Sequence, residues 1–260
     1  MRKSCQSILI AWMVIFLGMP VFHAYAQSGP EDLVGYWPLD EGAGNVSEDK
    51  SGKGNNGAIQ GNANWVNGKF GKALEFDGSS GSTFIVPDSD SLKITGTLTI
   101  EAWFYPKAKP QKGGIITKYK GAGNNRGYMV DIYDSNLRFI LSVDGTSATN
   151  ITVSTTDWEP EKWNHVAGVF DGSDMHLYVN GALIGSKPKT TGVNPTPSPL
   201  ELGNSWEEKV FTGIIDEVRV WNSAKSAEEV MALMTGPEII AAVKDNGKLA
   251  TTWGVLKSQD

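Results

Sequence analysis

Chemistry in this chain has to come from carboxylates, amides and aromatic rings. There is one cysteine, Cys5, and there are three histidines, of which only His165 and His176 lie beyond the first 26 residues. That leaves no three-histidine zinc set. No G-x-S-x-G elbow or phosphate loop is present. A retaining glycosidase needs two carboxylates about 5–5.5 Å apart, which on a strand means E-x-D or E-x-x-x-E on one face. Glu101 shares its face with Trp103 and Tyr105, so no second acid follows at the same-face positions. Asp216 and Glu217 are adjacent, and strict alternation sends them to opposite faces. Asp88 and Asp90 sit on a turn after Pro87. No catalytic residue is assigned on this reading; a lyase built from Tyr with Arg or Lys stays open on residue types alone.

Two other chemistries have better material. Hard divalent cations take several oxygens from carboxylates, amides and carbonyls, and the loop Asp49 to Gly57 offers Asp49, Asn55 and Asn56 on a glycine-rich backbone. The plainer alternative is that Asp49 begins an Asx-turn. Sugars are held by aromatic faces with fixed amides and carboxylates around them. Tyr133, Arg138 and Asp131, pointing outward from a hairpin, form such a patch with Trp103 and Tyr105 if those strands are neighbours in one sheet. The loop carrying Asn204, Trp206 and Glu207 is a second platform. Against both stands the core: of nine tryptophans, Trp37, Trp163 and Trp221 are expected inside.

The elements that must position these groups are strands. Trp163, His165, Ala167 and Val169 alternate with Asn164, Val166, Gly168 and Phe170, a period of two. Asp171-Gly172 breaks the run, Met175, Leu177 and Val179 form a second set, and Asn180-Gly181 signals a two-residue hairpin. That loop pairs Val179 with Ala182, Leu177 with Ile184 and Tyr178 with Leu183, giving a three-stranded meander. Leu98, Ile100, Ala102 and Phe104 make the apolar face of a central strand. Tyr128 to Val143 is a hairpin centred on Ser135-Asn136, pairing Ile132 with Phe139 and Val130 with Leu141. Ser226-Ala227-Glu228-Glu229 is a capping box opening a helix to about Met234. About a dozen short strands at this spacing fit an all-β jelly-roll sandwich of two antiparallel sheets with one short C-terminal helix.

The segments W-N-H-V-A-G-V-F-D-G (163–172) and L-Y-V-N-G (177–181), with G-Y-W-P-L-D-E-G (35–42), D-K-S-G-K-G-N-N-G (49–57), A-L-E-F-D-G (73–78), T-I-E-A-W-F (99–104) and G-I-I-D-E-V-R-V-W-N (213–222), resemble the laminin-G-like jelly roll of the concanavalin A-like lectin/glucanase superfamily. The resemblance runs from about Leu33 to Thr235. It implies the fold; it implies no ligand, because one fold hosts many functions. It further implies that Asp216 supplies a structural calcium near the N-terminal strands, with Asp49 as a second candidate ligand and Glu41 as a third. The alternative for Asp216 is a strand-end hydrogen bond. The glucanase carboxylate cluster of the superfamily has no match here.

Residues 1–26 read as a signal peptide: Arg2-Lys3, an apolar run from Ile8 to Phe22, and Ala24-Tyr25-Ala26 before a cleavage. The run is too short for a membrane helix. Removal leaves 260 − 26 = 234 residues and takes the net charge from −6 to −8, since two basic residues and no acids are lost. An acidic balance without a basic cluster excludes a nucleic-acid partner. The expected organisation is a signal (1–26), a jelly-roll domain (27–235) and a tail (236–260) of unassigned role. The expected function is that of a secreted or surface recognition module, periplasmic in a cell with two membranes. It has a glycan or an extracellular protein surface as partner and a structural calcium. A glycan-active hydrolase or lyase, and an adhesion protein, are the alternatives.

Overall fold

A computed structural model describes residues 30–236, other than 110, 122 and 206–208. The signal peptide, Trp206 with Glu207, and the chain after Gly236 lie outside the described residues. Among those described, no helix is long and apolar enough to cross a membrane.

In chain order the strands are β1 (Leu33–Trp37), β2 (Val46–Ser47), β3 (Gly57–Gln60), β4 (Asn64–Asn67), β5 (Lys72–Asp77), β6 (Thr83–Val86), β7 (Leu98–Pro106), β8 (Gly113–Tyr119), β9 (Arg126–Tyr133), β10 (Asn136–Leu141), β11 (Ile151–Thr155), β12 (Asn164–Phe170), β13 (Asp174–Val179), β14 (Ala182–Pro188), β15 (Leu200–Leu202), β16 (Asn204–Ser205), β17 (Lys209–Val210) and β18 (Thr212–Trp221), followed by the helix α1 (Ala227–Leu233). One sheet runs β14-β13-β12-β7-β18-β5-β4, with β1 also paired to β18; the second runs β11-β10-β9-β8-β15-β6-β3-β2. All the pairings are antiparallel. This is the two-sheet sandwich that the alternating patterns demand.

The inner faces meet in one core. Leu98, Ile100, Ala102 and Phe104 of β7 face Val130, Ile132, Phe139 and Leu141 of the second sheet, all without solvent exposure. Close approach sets one glycine: a Cβ on Gly168 would lie 2.5 Å from the Phe139 ring. Trp37 and Trp221 are buried as expected, but Trp163 is only half-buried, because it precedes β12 and sits on the outer side.

Two registers differ from the sequence reading. The hairpin β9–β10 turns on Asp134-Ser135, not Ser135-Asn136, so Ile132 opposes Leu137 and Val130 opposes Phe139. Both turn residues hold positive φ, 48° and 68°, which a two-residue hairpin of this twist requires. The faces survive, because the partner shifts by two residues. In the meander, Val179–Ala182 and Tyr178–Leu183 pair as expected, with Asn180 and Gly181 at φ 50° and 79°. A bulge after Leu177 then places Gly185, not Ile184, opposite it. An extra residue on one strand is what a bulge supplies.

Helix α1 forms as the capping box dictates. Ser226 Oγ accepts from Glu229 N at 3.2 Å, and Glu229 Oε2 accepts from Ser226 N at 2.8 Å. Val230 packs on Ala167, Val169 and Tyr178, and Leu233 on Leu33, Tyr36 and Trp221. The helix thereby covers one end of the outer face of the β12–β7–β18 sheet.

Candidate functional site

That outer face is built in rows. Antiparallel register places side chains side by side across strands, and the rows succeed one another every second residue. Under the helix lies Val169–Thr99–Trp221–Leu33; next comes Ala167–Glu101–Arg219–Tyr36; then His165–Trp103–Asp216. The fourth row is Tyr105–Ile214–Glu75–Asn64, with Trp163 beside Tyr105.

The middle rows form a sealed polar cluster. Glu101, His165, Asp216 and Arg219 show no solvent exposure and Glu217 shows 1%. Arg219 holds Glu101 at 3.2 Å through Nη1 and pairs with Glu217 through Nη2. His165 Nε2 lies 3.2 Å from Glu101 Oε2. The Tyr36 hydroxyl donates to Glu217 Oε2 at 3.1 Å, and the Arg219 guanidinium lies 4.8 Å above the Tyr36 ring. Burial pushes the Glu101 carboxyl up, but the His165 hydrogen bond and the Arg219 charge outweigh it and hold it below its usual range. Burial raises Glu217, with Asp40 and Glu101 adding to the effect against Arg219. Burial, abetted by Glu217, pushes Asp216 up to about 8.

The expectation that Asp216 and Glu217 point to opposite faces is therefore wrong. Glu217 has φ 53° and sits in a bulge between Asp216 and Arg219. One extra residue cancels the alternation and puts both acids on the outer side with Glu101. A same-face acid set with Tyr, His and Arg thus exists, but no member is open to a substrate. It holds β1, β7, β12 and β18 together. The only sequence signal for it was the spacing of Asp216 and Glu217 before Arg219, which alternation misreads.

The expected calcium ligands do not converge. Both Asp49 oxygens take two donors each: Tyr36 N at 2.9 Å and Ser51 N at 2.8 Å on Oδ1, Ser51 Oγ at 2.8 Å and Asn55 N at 2.9 Å on Oδ2. Such a carboxylate has its lone pairs committed. Asn55 donates to Val34 O at 2.7 Å and accepts from Ser89 Oγ at 2.6 Å. Glu41 accepts from Ser47 Oγ and Glu48 N, both at 2.9 Å. The Asx-turn reading holds for this loop. Asp216 differs: Oδ2 accepts from Phe70 N at 3.0 Å, while Oδ1 has no protein partner among the described residues. Gly68 brings three oxygens together: a Cβ there would lie 2.6 Å from Asp216 Oδ2, 2.6 Å from Lys72 O and 2.8 Å from Phe70 O. No three His, Cys, Asp or Glu side chains gather as a metal group among the described residues.

The glycan candidates separate as well. Trp103 and Tyr105 lie on β7, in the first sheet, while Tyr133, Arg138 and Asp131 lie on β9 and β10 in the second. The combined patch does not form, because the two strands face away from each other across the core. Arg138 forks onto Asp131, 2.8 Å from Nε to Oδ1 and 2.5 Å from Nη2 to Oδ2, and its guanidinium lies 4.7 Å from the Tyr133 ring, with Lys112 at 4.9 Å. Trp103 is buried under Phe70, at 6.3 Å between rings, and under Lys69 at 4.5 Å. Asn204 donates to Glu201 Oε2 at 3.3 Å. Tyr105 alone of the pair on β7 reaches solvent. It meets Trp163 at 5.7 Å with ring planes 65° apart. Ile214 and Glu75 follow in the row, both half-buried, and Glu75 pairs with Lys107. Trp163 was missed as a site residue because its place in an alternating run reads as core.

Known proteins bear on this arrangement. Human pappalysin-1 is 24% identical over 153 residues, 52% of this chain and 9% of pappalysin-1. Adhesion G-protein coupled receptor V1 of Danio rerio is 25% identical over 169 residues, 61% of this chain and 3% of the receptor. The chain spans less than a tenth of either relative. Among solved structures, domain 4 of AbnA, a GH43 extracellular arabinanase from Geobacillus stearothermophilus in complex with arabinotriose, has a TM-score of 0.62 at 21% identity, covering 78% of this chain and 98% of that one. The binding domain of paraclostridial mosquitocidal protein 1 scores 0.64 at 20%, covering 78% and 51%. The botulinum neurotoxin serotype D ligand binding domain in complex with N-acetylneuraminic acid scores 0.63 at 16%, covering 79% and 51%. Likeness at these identities speaks for the fold. The Laminin_G_3 model matches residues 77–231, and the chain belongs to that family of the concanavalin A-like lectin/glucanases superfamily.

Proposed function

We propose that this chain is an extracellular carbohydrate-recognition module that reads its ligand on the open row of the first sheet. The observation that carries the reading is the half-exposed Tyr105–Trp163 ring pair, beside Ile214 and the Glu75–Lys107 ion pair, on a face whose middle rows are closed by helix and hairpin. Aromatic faces flanked by fixed polar groups are what sugar recognition uses. Fold neighbours solved with arabinotriose and with N-acetylneuraminic acid support this class of ligand. A glycan array probed with the exported protein tests it. Selective binding that Trp163→Ala weakens is expected; a blank array from folded protein overturns it. Export itself is checked by N-terminal sequencing of the secreted product, expected to begin at Gln27.

A structural calcium belongs to the same proposal, at Asp216 and not at Asp49. The unpartnered Asp216 Oδ1 and Glu217 Oε1, and the oxygens crowding Gly68, fit a hard cation that takes carbonyl as well as carboxylate ligands. Asp216, with the Phe70 and Lys72 carbonyls, would hold it. Bound there, it would neutralise buried acid and tie the β4–β5 turn to β18. The check is thermal unfolding with calcium and with chelator. A higher Tm in calcium is expected, and the response should vanish in Asp216→Asn and persist in Asp49→Asn. An unchanged Tm in the parent protein removes the ion.

A further inference from the structure

The ligand class can be narrowed, resting on the recognition reading above. We infer that the open row takes a neutral glycan whose chain bends, and not a flat or an acidic one. Two features of the row carry this.

The first is the angle of the rings. Tyr105 and Trp163 stand 5.7 Å apart with planes inclined by 65°. A flat ribbon presents its sugar faces in one plane, and two rings so inclined cannot both lie against it. A chain whose successive units turn can offer one face to each ring. The remaining groups fit the same ligand. From β12 to β4 the row crosses four inter-strand gaps, roughly 19 Å at the usual strand spacing. That is the length of a short oligosaccharide, stacked at the Trp163 end and hydrogen-bonded by Glu75, Lys107 and Asn64 at the other.

The second is the charge. Recognition of a carboxylate or sulfate favours an arginine fork. The described residues hold three arginines, and all are committed: Arg126 to the carbonyls of Gly121, Gly123 and Gly145, Arg138 to Asp131, and Arg219 inside the sealed cluster. Near the row two lysines are ion-paired and a third lies over a ring. Lys107 holds Glu75, Lys162 holds Glu159, and Lys69 lies over the Trp103 ring. The row itself, Tyr105, Trp163, Ile214, Glu75 and Asn64 with Lys107, carries no net charge, because Glu75 offsets Lys107, and Lys69 keeps its charge above the Trp103 ring. Hydroxyls suit it; anions do not.

The experiment is affinity electrophoresis and calorimetry of the exported protein against three groups of soluble probe. These are neutral bent chains (arabinan, amylose, a β-1,3-glucan), a neutral flat chain (cellohexaose) and acidic glycans (sialyllactose, polygalacturonate). Binding to at least one bent neutral chain should be about tenfold or more tighter than to the others. It should fall about tenfold or more in Trp163→Ala and in Tyr105→Ala, as removal of a stacking anchor does, and largely survive in Tyr105→Phe. Near-ultraviolet circular dichroism establishes that the variants fold. Tighter binding of cellohexaose or an acidic glycan, lost in Trp163→Ala, overturns the class and leaves the recognition function standing. Glycan binding indifferent to both substitutions overturns the site. A folded protein that binds none of the probes, and nothing on a wider array, overturns the recognition reading itself.

Discussion

Asp49 and Asp216 look alike in sequence, each an acid in a familiar segment, yet they do opposite work. Asp49 is a hub of four hydrogen bonds that fixes the loop to β1. Asp49→Ala should cost about 2–4 kcal/mol in urea unfolding, since several buried donors lose their acceptor together. Asp49→Asn should also destabilise, because its amide would aim N–H groups at N–H groups. Nothing in the residue types separates the two acids. The difference is the count of backbone donors that folding aims at each, and that count is a property of the loop. The Glu101–Arg219 pair gives a second prediction. Arg219→Met strands two buried carboxylates, and breaking one side of such a pair costs roughly 3–5 kcal/mol. The pH dependence follows from the sign of the shift. Glu101 is held below its ordinary value of 4.5, so its contribution is present above that value and is lost as pH falls through the lowered one. Between about pH 5 and pH 3, Glu101→Gln should lose stability less steeply than the parent. Equal slopes in chemical unfolding would mean that folding leaves the Glu101 pKa unchanged, and a steeper loss in Glu101→Gln would mean that the folded state holds the carboxyl protonated.

At the scale of elements, most of the fold was legible because its signals are local. Alternation marked β7, β12 and β13, Asn180-Gly181 marked a turn that needs two positive φ angles, and S-A-E-E marked the helix start. What misled were the places where one extra residue enters a strand. The bulges at Leu177 and Glu217 leave no mark in apolar periodicity, yet the second turns Glu217 onto the face of Glu101. Sheet membership was illegible for a different reason. Whether β7 lies beside β9 depends on long connections, and those decided that Tyr105 would keep company with Trp163 and not with Tyr133. The local devices are open to test. Ser226→Ala removes the cap of α1 and should cost about 0.5–2 kcal/mol. Gly181→Ala should destabilise by more than a surface alanine does, since its φ is 79° and a Cβ would press on Met231 at 3.0 Å. A Gly181→Ala protein as stable as the parent would show that the hairpin tip adjusts freely, and the packing of α1 on it would need another account.

The whole molecule sets two outer faces against one core, and they are unequal. The first sheet hides its polar cluster under helix and hairpin beside an open row; of nine buried side-chain polar atoms without a protein partner in the described residues, four belong to that cluster and two more, Trp103 Nε1 and Trp221 Nε1, lie on the same face. The second sheet carries Tyr133 between Lys112 and Arg138, each cation held by an aspartate. If recognition belongs to the first sheet, the two faces are independent. Their outer side chains are separated by the full thickness of the sandwich, with sheet centres alone about 10 Å apart, and substitutions that far apart without shared partners add. Tyr133→Ala should therefore leave glycan affinity unchanged and cost about 1–2 kcal/mol, the value of the two cation–π contacts its ring makes. Trp163→Ala should weaken binding about tenfold or more, and the double variant should match Trp163→Ala in affinity while its loss of stability equals the two single losses combined. Calorimetric titration and urea unfolding of the four proteins check all of this at once. A weaker ligand affinity in Tyr133→Ala would put the second sheet in contact with the glycan, and the ring pair on the first would then be only part of the recognition surface.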